Sequence, residues 1–255
     1  MEQSRVLLEL LEKSEQRSGF RLRPSAPSAY GTRRAGEAGT HQVKQTPTDR
    51  VDTGEAAPKM FLVFVRHGGV AVLLFGVTAE LFAWLCGVVT LQPAMIVIGA
   101  LLFYLSEYGM HRFAFHAPPL SWPPLRRLQH RLHYDHHVEP SRLDLLFLPV
   151  WFLVPNLAVA AGLFALLFGI EAAASALLGM MLAILHYEWV HYVAHIPYQP
   201  RTRLGRWIKQ YHLRHHFISE KHWFGVSNPS LDGVFGTFRG PAASEKSATT
   251  RKLYS

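Results

Sequence analysis

The chain of 255 residues contains a single cysteine, Cys86. This excludes a disulfide framework and any zinc site built on thiolates. It also excludes a cysteine-held iron–sulfur cluster, which generally needs four such ligands. Cys86 lies in an apolar run, so a buried, inert thiol is expected. Charge is scarce too. Charged residues make up 17% of the chain and hydrophobic ones 49%, with a mean hydropathy of +0.08. Soluble proteins average about 25% charged residues, so this balance favours a membrane protein. Basic charge is missing altogether from residues 68–110 and 143–199. Eleven Lys/Arg fall in 1–67, five in 111–142 and ten in 200–255, accounting for all 26. Confining basic residues to alternate segments is what the positive-inside rule produces. The net charge of +8 and pI of about 9.8 are therefore read as topology rather than nucleic-acid binding. No zinc-finger, RNA-recognition or P-loop signature accompanies them.

Residues 1–58 read as a disordered N-terminal tail. Met1–Gln16 could form a short amphipathic helix. Arg17–Pro58 is rich in Gly, Pro, Ser, Thr and charge, and cannot bury a core. No secretory signal is expected, because the apolar run begins only at Met60. Residues 59–240 read as the membrane domain and 241–255 as a flexible tail. The two basic-free stretches each hold a pair of apolar segments, roughly 68–89 with 92–108 and 145–168 with 172–192. Each segment is close to the ~20 residues that cross a hydrocarbon core. The predicted fold is all-α: a four-span helical membrane protein whose two hairpin tips face away from the cytoplasm. Both termini and the 111–142 loop share the cytoplasmic side. Two acids fall within spans, Glu80, to which no role is assigned, and Glu107. Glu107 precedes His111 by four residues, hence on the same helix face. It is read either as a supporting partner of that histidine or as an interfacial carboxylate.

Histidine is the excess, at 15 residues. The second span runs into HRFAFH (His111, His116). A loop carries QHRLHYDHH (His130, His133, His136, His137). The fourth span ends in HYEWVHYVAH (His186, His191, His195), and YHLRHHF follows (His212, His215, His216). His191 and His195, at i and i+4, share a helix face. Adjacent histidines in each HxxHH differ by about 100°, so one metal cannot easily take both, but two neighbouring metals can. A two-metal site of eight to ten histidines follows, since imidazole suits Zn, Fe, Cu and Ni. His111 and His116 are about 140° apart on an ideal helix. They can serve one metal only if the helix loosens between them, or if the metal sits to one side. His130 and His186 are read as ligands or as support for ligands. Asp135 and Glu188 could orient ring N–H groups. His41, His67 and His222 are expected in surface or capping roles. Tyr187, Trp189, Tyr192, Trp207 and Trp223 are expected at the membrane interface.

The motifs HRFAFH, HYDHH, HYVAH and HLRHH, followed by FGVSNPSLDGVFGTF at 224–238, resemble those of the fatty acid hydroxylase superfamily. Within it the chain is most similar to the fatty acid 2-hydroxylase branch, over about residues 60–240. Two departures stand out. The stretch VEPSRLDLLF after His137 is shorter than is usual in that branch, and the HPGG-type haem motif of relatives fused to a cytochrome b5 domain is absent. The resemblance implies two iron ions held by ten histidines, with O2 as co-substrate. One metal would take His111, His116, His133, His137 and His215. The other would take His136, His191, His195, His212 and His216. Zinc in a purified sample would mark replacement of iron.

No catalytic residue beyond the metal centre is legible. The reading is a monooxygenase that hydroxylates a membrane lipid acyl chain. Two external electrons would come from a separate donor of cytochrome or ferredoxin type. That donor would be steered to Arg126, Arg127, Arg131, Arg201, Arg203, Arg206 and Lys209, unless those residues meet anionic lipid headgroups instead. The rivals are a sterol or carotenoid oxidase or desaturase of the same superfamily, a non-enzymatic metal-binding or transport protein, and a two-zinc hydrolase.

Overall fold

A computed structural model describes residues 57–240 and Ser247. The N-terminal helix expected at 1–16, the rest of the tail to residue 56, His41 and, except for Ser247, the C-terminal tail lie outside the described residues. Among the described residues every regular element is helical. The first, α1 (Ala57–Arg66), begins two residues inside the segment expected as tail. Its Met60 and Phe64 pack with Val70, Phe147 and Tyr192.

Four helices are long and apolar enough to cross a membrane, as in an integral membrane protein. They are α2 (Gly68–Leu85), α3 (Pro93–Gly109, prolonged by a π-helical turn Met110–Phe115), α7 (Val150–Phe168) and α8 (Ile170–His195). Between the two pairs lie α4 (Pro123–Gln129), a second π-helical turn His130–Tyr134, α5 (Asp135–Val138) and α6 (Leu143–Leu146). After α8 come α9 (Arg203–Phe217) and α10 (Ser230–Val234). Chain order thus alternates membrane hairpins with shorter segments, and the histidine motifs lie in those segments and on the span ends that adjoin them.

Helix α8 is the hub. Half of its apolar window is buried inside the protein, against 6–17% for the other three spans. Helices α2, α3 and α7 all pack on it. Small residues allow the closest approach. A Cβ on Gly99 would run into the Ala176 backbone, and one on Gly179 into the carbonyl of Ile96. Leu73, Leu153, Met181 and Ile184 fill the junction of α2, α7 and α8. Gly169 at φ 88° joins α7 to α8 in a single residue, a backbone region that glycine adopts at little cost.

Three expectations about burial change. Cys86 is exposed rather than buried, because it follows α2 at the tip of the first hairpin, where protein packing ends. Tyr192 and Trp223 are interior rather than interfacial. Tyr192 donates to the carbonyl of Met60 (3.1 Å). The Trp223 ring N–H donates to the carbonyl of Arg239 (3.0 Å), which satisfies the polar end of a buried indole.

Candidate metal centre

The four histidine motifs meet at one end of the bundle. His111, His116, His133, His137 and His215 form one group, and His136, His191, His195, His212 and His216 a second. Within each group the candidate ligand atoms all lie within 4.8 Å of one another. Each HxxHH divides its adjacent pair, sending His136 and His216 to one group and His137 and His215 to the other. The groups abut where the His137 and His216 rings stack, with centroids 4.2 Å apart.

The five-residue spacing of His111 and His116 is accommodated by the π-helical turn. The amide of His116 donates to the carbonyl of His111 at 3.1 Å, so five residues close roughly one turn. The helix loosens there, and the two rings come within 5.0 Å. A second π-helical turn, which the spacing did not signal, precedes the His136–His137 pair. Gln129, buried between them, receives the amide of Leu120 (2.9 Å) and donates to the carbonyl of Ala114 (2.9 Å). It thereby ties the loop after His116 to the second turn.

Ring nitrogens converge. Nε2 of His116 lies 2.7 Å from that of His133 and 2.9 Å from that of His215. His191 and His136 approach to 3.0 Å, and His195 and His212 to 2.9 Å. Nε2 of His111 and both ring nitrogens of His216 are buried without a hydrogen-bond partner. Orphaned buried polar atoms are costly, and a cation shared by each group removes that cost. Burial, reinforced by neighbouring imidazoles, holds His133, His136, His212, His215 and His216 well below the usual histidine range. They are therefore neutral, the form that binds a metal. This donor set fits two borderline transition-metal ions.

Backbone carbonyls orient two of the ligands. His111 donates through Nδ1 to the carbonyl of Phe224, and His215 through Nδ1 to that of His222 (2.8 Å). Each ring thus presents Nε2 to the centre. The proposed supporting residues bond elsewhere. Glu107 accepts from the amide (2.9 Å) and hydroxyl (2.5 Å) of Ser227. Glu188 accepts the amide of Leu148 (2.9 Å), which lies beside the Pro149 break before α7. Asp135 pairs with His130 (3.1 Å) away from both groups, and His186 pairs with Tyr104 (3.0 Å).

Two positioning residues were not legible as such. Fully buried Asp232, in a stretch that reads as a turn, receives the amides of Phe224 (2.9 Å) and Gly225 (2.7 Å) and the hydroxyl of Thr237 (2.6 Å). It fixes the loop whose carbonyl meets His111. The Lys209 ammonium donates to the carbonyls of Val193, Ile196 and Tyr198 (2.7–3.0 Å), closing the end of α8 that carries His191 and His195. Lys209 therefore leaves the set of free surface cations. Arg206 leaves it as well, since it binds the carbonyls of Pro200 and Arg201.

A cavity of about 110 Å³ reaches both groups, through His111 and His133 on one side and His191 and His212 on the other. Its remaining wall is mainly apolar, including Phe103, Met110, Phe115, Leu132, Phe147, Phe152 and Val226.

A fatty acid hydroxylase family model matches residues 96–237, more than half of the chain and all four motifs. The chain belongs to the fatty acid hydroxylase family. It is 31% identical over 161 residues to a dihydroceramide fatty acyl 2-hydroxylase of Arabidopsis thaliana, covering 60% of this chain and 63% of that one. It is 33% identical over 147 residues to the fatty acid 2-hydroxylase of Rattus norvegicus, covering 56% of this chain and 39% of that one. The chain thus spans less than two thirds of either relative. Its fold is similar to a solved structure of full-length scs7p in which only the hydroxylase domain is visible. There the TM-score is 0.58, with 24% identity, 79% of this chain and 72% of that one.

Proposed function

We propose that this chain hydroxylates a membrane lipid acyl chain next to its carbonyl carbon, consuming O2 and two external electrons. The observation that carries the reading is the cavity, mainly apolar along its walls but for Ser106, Glu107 and Tyr187, and bounded by histidines of both groups. Two iron ions held by the ten histidines would supply O2 activation for insertion into an unactivated C–H bond, chemistry that redox-inert zinc lacks.

The protein's own residues do the rest. His111 and His215 are locked in one tautomer by their carbonyl partners, so the donor set is arranged before substrate arrives. Phe115, Leu132 and Phe147 exclude water beside the histidines. Phe103 and Phe152, on the spans, direct the acyl tail toward the bilayer. The cavity is open on one side, so a long acyl chain can reach the histidines with most of its length outside. The named activities of the relatives point the same way.

The histidine end, with both termini, is assigned to the cytoplasm from the distribution of Lys and Arg. Arg131 is only partly exposed, which leaves four exposed arginines, Arg126, Arg127, Arg201 and Arg203, to meet an acidic electron donor. The test is lipid mass spectrometry after expression under 18O2, with His191→Ala as control. A label on the second acyl carbon, absent in the variant, is expected. Label in sterols or carotenoids, or 2-hydroxy lipid carrying oxygen from water, overturns the reading.

A further inference from the structure

We infer that the turn Gly233–Phe238 is a fifth contact with the bilayer, a hydrophobic foot that lowers the histidine-bearing cap onto lipid acyl chains. Its tip is apolar and uncovered: Val234 is 74% exposed, Phe235 49% and Phe238 48%. Isolated exposed apolar side chains need no explanation, but a contiguous group does. Depth follows from the partner. The Phe235 ring stacks on Tyr108 (centroids 5.2 Å), and the Tyr108 hydroxyl bonds Thr237 (2.8 Å). Tyr108 lies on the second span, short of the ~20 residues from Pro93 that cross the hydrocarbon core. The foot therefore sits at hydrocarbon level, not above the headgroups. Its surface continues that of the span, where Leu105 and Phe113 are 51% and 66% exposed. Cations mark the polar boundary. Arg112 bonds the Tyr108 hydroxyl (2.8 Å) while lying over the Phe113 ring, and Arg239 is exposed just past the tip. Long basic side chains commonly bridge apolar and headgroup layers in this way.

The base of the foot is rigid. The amides of Thr237 and Phe238 donate to the Asp232 carbonyl (2.9 and 3.0 Å), and Gly236 takes φ 70° to turn the chain. The Asp232 side chain fixes the loop that meets His111. Lipid contact at the tip is thus joined through one residue to the metal-site scaffold.

The single native cysteine makes the test direct. The full chain carrying Cys86→Ser is given one new cysteine, Val234→Cys, Leu105→Cys or Lys221→Cys. Each variant is nitroxide-labelled and reconstituted in phosphatidylcholine vesicles. Collision rates with O2, which concentrates in hydrocarbon, are compared with those of a water-soluble nickel chelate. The O2-to-nickel ratio at position 234 is expected to match position 105 and to exceed position 221 several-fold. A ratio at 234 equal to that at 221 overturns the inference. So does dipolar broadening between labels at 234, which would mean that a second copy covers the tip.

Discussion

Removing the Asp232 carboxylate tests whether the loop after α9 holds the metal site together. Asp232→Ala strands two donors, the amides of Phe224 and Gly225, and takes one of two partners from the Thr237 hydroxyl, which keeps Tyr108. A buried donor left without a partner costs about 1–3 kcal/mol, so the variant should lose about 2–5 kcal/mol after partial relaxation. For a domain of this size that corresponds to a fall in Tm on the order of 10 °C. The effect on metal should be selective. The freed loop carries the Phe224 carbonyl that fixes His111, a member of one histidine group only. Loss of an outer hydrogen-bond partner commonly weakens metal affinity about 10–100-fold. After dialysis against a moderate chelator, metal content should fall from about two per chain toward one. Asp232→Asn keeps one acceptor oxygen but turns an NH2 toward the other amide, so it should fall between wild type and Ala. Elemental analysis and thermal unfolding in detergent read both effects. Unchanged Tm and full metal in Asp232→Ala would refute the argument; equal loss from both groups would refute its selectivity.

Gly179→Ala forces a methyl group onto the Ile96 backbone. It should cost about 1–3 kcal/mol as overpacking, seen as a lower Tm, and an unchanged Tm would mean that α3 and α8 separate freely. Lys209→Met strands three carbonyls at the end of α8 and should cost about 2–4 kcal/mol, with partial loss of metal; full stability would show that water replaces the ammonium. The buried histidines titrate below their unfolded value of ~6.5. Their neutral form is therefore favoured by folding, and the metal-free protein should be stable above that pH and lose up to ~1.4 kcal/mol per histidine per unit as pH falls below it. A flat stability curve from pH 7.5 to 5 would contradict this. Purified protein with O2 and lipid alone should stall until a reduced donor is added, and Arg201→Glu with Arg203→Glu should slow that turnover in a salt-dependent way. Sustained turnover without reductant would sink the monooxygenase reading.

Much of this architecture is legible because membrane physics writes it coarsely. A span must be apolar over nearly its whole length, and basic residues collect beside it. Both features survive in composition, so the four spans lie within a few residues of their expected limits. The histidine groups are legible for a related reason. Imidazoles repeated in four places, three of them at helical spacings, need a common destination, and the 100° divergence within HxxHH already favours two centres over one. The spacing of His111 and His116 left two solutions, a loosened helix or a metal to one side, and the π-helical turn is the first of them.

The supporting contacts could not be read because they depend on backbone positions. No pattern of side chains marks the carbonyls of Phe224 and His222 as partners for His111 and His215. Acids near a histidine in sequence, such as Glu188 and Asp135, draw attention. Yet Glu188 gives one carboxylate oxygen to the amide of Leu148, a donor stranded where Pro149 interrupts the helical path. The residues that do support the centre are not marked by closeness to the ligands they serve. Asp232 is more than a hundred residues from His111 and reaches it through the backbone between them. Lys209 is three residues before His212, but it acts on the opposite partner, the carbonyl end of α8. A cation beside a metal-binding motif reads naturally as surface charge. Only packing reveals that three carbonyls at a helix terminus need all three of its protons, and that need removes it from the docking face.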